Sequence, residues 1–181
     1  LNGSRAQSQK LYDTYFALYP THYQAAQMAM SLGGAAYKAE DYDQASHYFN
    51  TVLTQYSNST YRVQALQMLS ACRGKQGDVD GQIEYLGQYL DAAKMVMDRV
   101  NARLSLAVLE RNRGFALYEA AGTNTTDEAK AEVNKKAAVS TLSAVKNFRA
   151  LVKDATAGIE SPLTSSADKK KLGLAREQAL F

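Results

Sequence analysis

An all-α fold is predicted by three features of this 181-residue sequence. Apolar residues recur at spacings of three and four along most of the chain, which is the period of a helix with one buried face. Ala, Leu, Gln and Lys are plentiful while there are two prolines and no tryptophan, which favours helix over sheet. The third feature is an internal repeat. Leu32-Gly33, Tyr37-Lys38, Asp41-Tyr42-Asp43, Phe49 and Val52-Leu53 return 37 positions later as Leu69-Ser70, Gly74-Lys75, Asp78-Val79-Asp80, Leu86 and Tyr89-Leu90. Two apolar periodic segments around a short Asp/Gly turn, repeated at about this length, signal a helical solenoid whose units bury their faces only against neighbours.

The elements follow in order. Leu11, Tyr12, Tyr15, Phe16, Leu18 and Tyr19 predict an amphipathic helix from about residue 4 to 19, stopped by Pro20. A second helix runs from about 23 to 39, with Ala26, Ala29, Leu32, Ala36 and Tyr37 on one side. Gly33-Gly34 lies in its middle, where each glycine costs on the order of 1 kcal/mol relative to alanine. Close approach of a neighbouring helix is the expected reason. Asp41 or Asp43 opens the next helix, which carries Ala45, Tyr48, Phe49, Val52, Leu53 and Tyr56. The cycle repeats with helices over about 61–74 and 79–93. Between them Gly77 supplies a left-handed turn and Asp78 or Asp80 the cap.

After Lys94 the rhythm changes. Val100, Leu104, Ala107, Val108, Phe115 and Tyr118 outline a helix over about 97–121, nearly twice as long as those of the repeat. A polar turn at 122–126 leads to a second long helix opened by Asp127-Glu128, with Ala137, Leu142, Val145, Phe148 and Val152 along it. Gly158 to Ser166, containing Pro162, reads as a loop, and 167–181 as a weak final helix, docked or frayed.

The repeated residues resemble the tetratricopeptide repeat, a pair of antiparallel helices of about 34 residues stacked into a right-handed superhelix. In residues 26–59, Leu32-Gly33 look like the Leu-Gly of the first helix, Tyr37 its aromatic, and Asp41-Tyr42 the turn. Ala45 looks like the small residue at the helix crossing and Phe49 the aromatic of the second helix. Residues 63–96 match with Ser70 for the glycine and Gln82 for the small alanine, while 5–20 resemble only the second helix of a unit. With Leu1 in first place, the resemblance implies a processed or truncated array over 1–96. The long hairpin and C-terminal helix of 97–181 are expected to pack on it as one continuous solenoid. Leu18-Tyr19-Pro20 and the 55–61 junction are similar to those of bacterial cell-envelope members, such as the outer-membrane assembly lipoprotein and the Tol-associated periplasmic coordinator. That likeness implies a periplasmic or envelope location.

Matching to the family's groove gives Gln27, Met30, Gly34 and Tyr37 from one unit and Gln64, Gln67 and Ala71 from the next, with Tyr23 added on position alone. The Lys/Asn cluster that clamps a terminal carboxylate in chaperone-binding members has no counterpart at Met30, Gly34, Gln67 or Ala71. A neutral Tyr/Met/Gln lining suits an extended or helical protein segment. Occupation of the groove by residues 167–181 is the alternative.

Other chemistries find little support. Net charge is +3, with 7 basic and 8 acidic side chains before residue 95 and 14 and 10 after it. The pairs Arg99/Arg103 and Arg111/Arg113 and the triplet 169–171 lack interleaved aromatics, so they read as solvated faces and not as a nucleic-acid surface. Cys72, the one cysteine, is expected to be a buried filler. His22 and His47 have no ligand partners at metal spacing, and no phosphate loop or nucleophile motif is present. No apolar run approaches the ~20 residues that span a bilayer. The expectation is therefore a non-enzymatic scaffold for a protein partner, without cofactor, nucleic acid or membrane span. Self-association through 97–156 is a further option. The alternative is an accessory or oligomerisation domain of a larger enzyme or regulator.

Overall fold

The computed structural model describes residues 2–19, 24–122 and 126–180, with side chains from Lys10 onward. The described residues form eight α-helices and no strand: α1 Asn2–Leu18, α2 Ala25–Lys38, α3 Tyr42–Gln55, α4 Arg62–Lys75, α5 Val79–Ala92, α6 Val96–Ala121, α7 Asp127–Glu160 and α8 Ser166–Gln178. They divide into two compact units, Leu1–Gln76 and Gly77–Phe181, so that the boundary falls between α4 and α5.

The 37-residue repeat is carried into the backbone. Helix α2 starts at Ala25 and α4 at Arg62, 37 positions on, and both have 14 residues. Helices α3 and α5 start at Tyr42 and Val79, again 37 apart and again with 14 residues. Between each pair the chain takes the same left-handed step, at Glu40 with φ 61° and at Gly77 with φ 75°. The aspartate after each step caps the helix that follows. Asp41 accepts from the Gln44 N–H at 3.2 Å and Asp78 from the Gly81 N–H at 2.9 Å. Around Glu40 the turn is a full Schellman motif, with Glu40 N–H donating to the Tyr37 carbonyl and Asp41 N–H to that of Ala36. Asp43, the other capping candidate, instead accepts from Gln76 Nε2 at 2.6 Å.

In the first unit α3 packs against both α2 and α4. Its core comprises Ala25, Ala29, Ala45, Phe49, Val52, Ala65, Leu66, Leu69 and Cys72, all without exposed surface. The Phe49 ring occupies the space a side chain at position 33 would need. A Cβ there would stand 2.5 Å from Cε1 and 2.8 Å from Cδ1 and Cζ. Close helix approach thus explains Gly33, as expected, but not Gly34, whose Cβ would meet nothing within 4 Å. Among the described residues Tyr56 Oη is buried without a hydrogen-bond partner, and burial first, then Tyr15, pushes its hydroxyl pKa up. Leu11 and Leu18 of α1 and Tyr19 just after it remain exposed.

The second unit is built on the α6/α7 hairpin, with α5 against α6 and α8 against both. The residues facing inward along the hairpin are mostly small: Ala102, Ala107 and Gly114 from α6, and Ala137, Ser140 and Ala144 from α7. Small side chains let the two backbones approach, and a Cβ on Gly114 would stand 2.7 Å from Thr141 Oγ1. At the other end Val100, Leu151, Ala155, Leu172 and Ala175 form a core flanked by Val96, Leu104 and Ile159.

One expectation needs correction here. Gly158 does not begin a loop: α7 continues to Glu160, and Gly158 is buried where Leu172 and Val96 leave no room for a Cβ. Of the two fates expected for the final helix, it is docked, through Leu172 and Ala175, and Ser165 is its N-cap: Asp168 N–H donates to Ser165 Oγ at 3.1 Å and that hydroxyl donates to Asp168 Oδ2 at 2.8 Å.

Candidate functional site

The surface expected to bind a partner lies on α2 and α4 of the first unit. Gln27, Gln64 and Gln67 are exposed, while Gly34, Tyr37 and Ala71 are half-buried. The helices' common phase explains the arrangement. Positions 25, 26, 29, 33 and 36 of α2 and 65, 66, 69, 70 and 72 of α4 turn inward, leaving 27, 34, 64, 67 and 71 at the outer edge of each stripe. Met30 departs from the expected lining. It follows Ala26 and Ala29 at i+4 and i+1 on the inward stripe and keeps 8% of its surface exposed, so its thioether belongs to the packing. Tyr23 lies outside the described residues.

Tyr37 meets Tyr42 edge to face across the α2–α3 turn, with ring centroids 5.3 Å apart at 66°. This fixes one edge of the ring and leaves its half-buried remainder at the surface. The bond that Ser31 Oγ donates to Gln27, at 3.0 Å, goes to its backbone carbonyl, and its side chain is exposed. None of the eight positions is charged. The chemistry they present is amide donors and acceptors beside an aromatic edge.

Groups of reactive character are otherwise committed. Cys72 is fully buried, and burial first pushes its thiol above the ordinary 9.0, outweighing the Ser46 hydroxyl and the Arg73 charge that act to lower it. Such a thiol is a poor nucleophile. His47 is exposed and edge-on to Tyr48, and His22 lies outside the described residues. Among the described residues no three His, Cys, Asp or Glu side chains gather as a metal would require. None of the described helices is long and apolar enough to cross a membrane.

Several arginines read as solvated are instead paired. Asp154 on α7 is 11% exposed and receives both oxygens' worth of hydrogen bonds: Arg99 donates from Nη2 to Oδ1 and from Nε to Oδ2, and Arg103 Nε to Oδ2 at 2.8 Å. Burial alone would raise the Asp154 pKa, but the hydrogen bonds and charges of the two guanidiniums outweigh it and hold the carboxyl below its usual range. Arg113 reaches Asp80 at 2.9 Å. The partners are far away in sequence, which is why local charge patterning missed them.

The sequence offered 97–156 for self-association without naming a surface on it, and one is present. Arg111, Gly114, Phe115 and Tyr118 of α6 and Asn134, Ala138, Thr141 and Leu142 of α7 line an open groove of about 680 Å³. Phe115 is 64% and Tyr118 68% exposed, and Leu142 is exposed beside them. A neighbouring hollow along the same helix is lined by Val145, Phe148, Arg149 and Val152 with Leu180. The signal available in sequence was the segregation of large apolar residues from Ala, Gly and Ser by helical phase.

No protein-family model matches the chain, and neither a curated protein nor a solved structure matches it.

Proposed function

We propose that the chain is a non-enzymatic adaptor whose α2 and α4 surfaces bind a protein segment, organised as a tetratricopeptide-like array. The observation that carries this reading is the 37-residue register. It holds at both helix starts, at both left-handed steps and at both aspartate caps. Units copied at this level of backbone detail are typical of solenoids, whose repeated helices offer long surfaces for extended or helical ligands. The exposed amides of Gln27, Gln64 and Gln67 and the Tyr37 ring edge supply uncharged hydrogen bonding and an aromatic anchor. An envelope location in a bacterium accords with the junction at Leu18-Tyr19-Pro20 and is part of the same proposal.

Photo-crosslinking tests it directly. A photoreactive residue at Gln67, with one at exposed Asn50 of α3 as control, is activated in native extract, and the captured protein is identified. Peptides from it are then titrated. The expected result is capture at position 67 only, with affinity reduced about tenfold by Tyr37→Ala or Gln67→Arg. Equal capture at both positions, or affinity unchanged by both substitutions, rejects the reading.

A further inference from the structure

Beyond that reading, we infer that the exposed face of the α6/α7 hairpin is a docking surface for a second copy of this chain, related by a two-fold axis passing beside Ala138. The argument starts from spacing. Along α7 the residues Asp127, Ala131, Asn134, Ala138, Leu142, Val145 and Arg149 follow one another at steps of four, three, four, four, three and four. Those steps average close to the 3.6-residue turn, so all seven share one face, and each is exposed. The pattern reads the same in both directions from Ala138.

An antiparallel second copy of α7 centred there therefore meets like spacing with complementary content. Val145 comes opposite Ala131, Leu142 opposite Asn134, and Ala138 opposite itself. Large side chains thus face small ones at the crossing, the arrangement that lets two helices interdigitate. Arg149 comes opposite Asp127 at both ends of the contact. These two are exposed and form no ion pair among the described residues. In this orientation opposite charges meet, whereas a parallel pairing would put Asp127 against Asp127 and Arg149 against Arg149.

Helix α6 adds the apolar content. Gly114 is level with Ala137 and Thr141, which brings Phe115 beside the axis and Tyr118 toward Asn134. The face thus carries both a ridge, Phe115 with Leu142, and the groove of about 680 Å³ that a second copy's ridge would enter. From Asp127 to Arg149 the face is about 33 Å long, and two helices are about 20 Å wide, a footprint of roughly 660 Å². Stable interfaces cover on the order of 800 Å² per partner. The hairpins then form a four-helix bundle, with an isologous interface in which every contact occurs twice.

Sedimentation equilibrium of the full chain over a concentration series tests the arrangement. The wild-type chain is expected to dimerise, and Leu142→Glu to be monomeric with unchanged helical circular dichroism. Asp127→Arg and Arg149→Asp, both at exposed positions, are each expected to raise the dimer dissociation constant roughly tenfold, since either creates two like-charge pairs. Mixing those two variants restores opposite charges at both ends, so the mixture should dimerise as the wild type does. A wild-type chain that is monomeric at every concentration overturns the inference and leaves the face to another partner. So does a dimer indifferent to all three substitutions, or a mixture no tighter than its separate components.

Discussion

Two adjacent glycines in α2 should respond to alanine with opposite sign. At Gly34 an added methyl meets nothing within 4 Å, so Gly34→Ala gains only the helix-propensity difference, about 0.8–1 kcal/mol of stability. At Gly33 the same gain is overtaken. The new Cβ would stand 2.5–2.8 Å from three ring carbons of Phe49, which has no exposed surface and is walled in by the core of the first unit. Moving a buried ring aside costs about 1–3 kcal/mol, so Gly33→Ala should be destabilising by up to about 2 kcal/mol after the propensity gain. The two variants then differ by the cost of displacing the ring, about 1–3 kcal/mol, although they are neighbours with identical chemistry. Native-state amide exchange in α2 and α3 is the appropriate measurement, because a chain of two compact units need not unfold in one step. Equal effects of the two substitutions, or a stabilising Gly33→Ala, would refute the packing argument.

The left-handed steps give a second test. Glu40 holds φ 61° with a full side chain, a conformation costing about 1 kcal/mol for a non-glycine residue. Glu40→Gly should therefore stabilise the first unit by roughly 0.5–1 kcal/mol, and Gly77→Ala should destabilise its own turn by about the same amount, read by native-state amide exchange in the helices that flank each turn. The third concerns Asp154. Asp154→Asn should destabilise the second unit by about 2 kcal/mol at pH 7, less than for a fully buried pair because the Arg99 side chain is 37% exposed. The folded-state pKa lies below the ordinary aspartate value of 3.8. The carboxylate's contribution is thus complete above about pH 4 and is lost as pH falls through the folded value. The gap between wild type and variant should accordingly shrink on acidification below pH 4, and a gap that stayed constant would remove Asp154 from the account.

What could be read from the sequence was governed by range. The turn at 40–41 and its copy at 77–78 were legible because a cap and a left-handed residue act on atoms within three or four positions. Gly33 was legible only as needing a close neighbour; naming Phe49 as that neighbour takes the α2/α3 packing. Gly158 misled because glycine ahead of Pro162 looks like a loop, whereas the residue is required by Leu172 from another helix. The same applies to Asp154, whose partners Arg99 and Arg103 are 55 and 51 positions away. On the candidate surface, exposed Gln27, Gln64 and Gln67 follow from helical phase, and Met30 was misplaced because its phase lies at the edge of the inward stripe.

The shared turn also makes this chain divisible. Duplicating residues 41–77 would join Gly77 directly to Asp41, reproducing the Gly77-Asp78 step in which a left-handed residue hands over to a capping aspartate. The segment thus begins at a capping aspartate and ends at a left-handed glycine, the two halves of one step. A copy inserted there brings its own turn, with no new one needed at the joint.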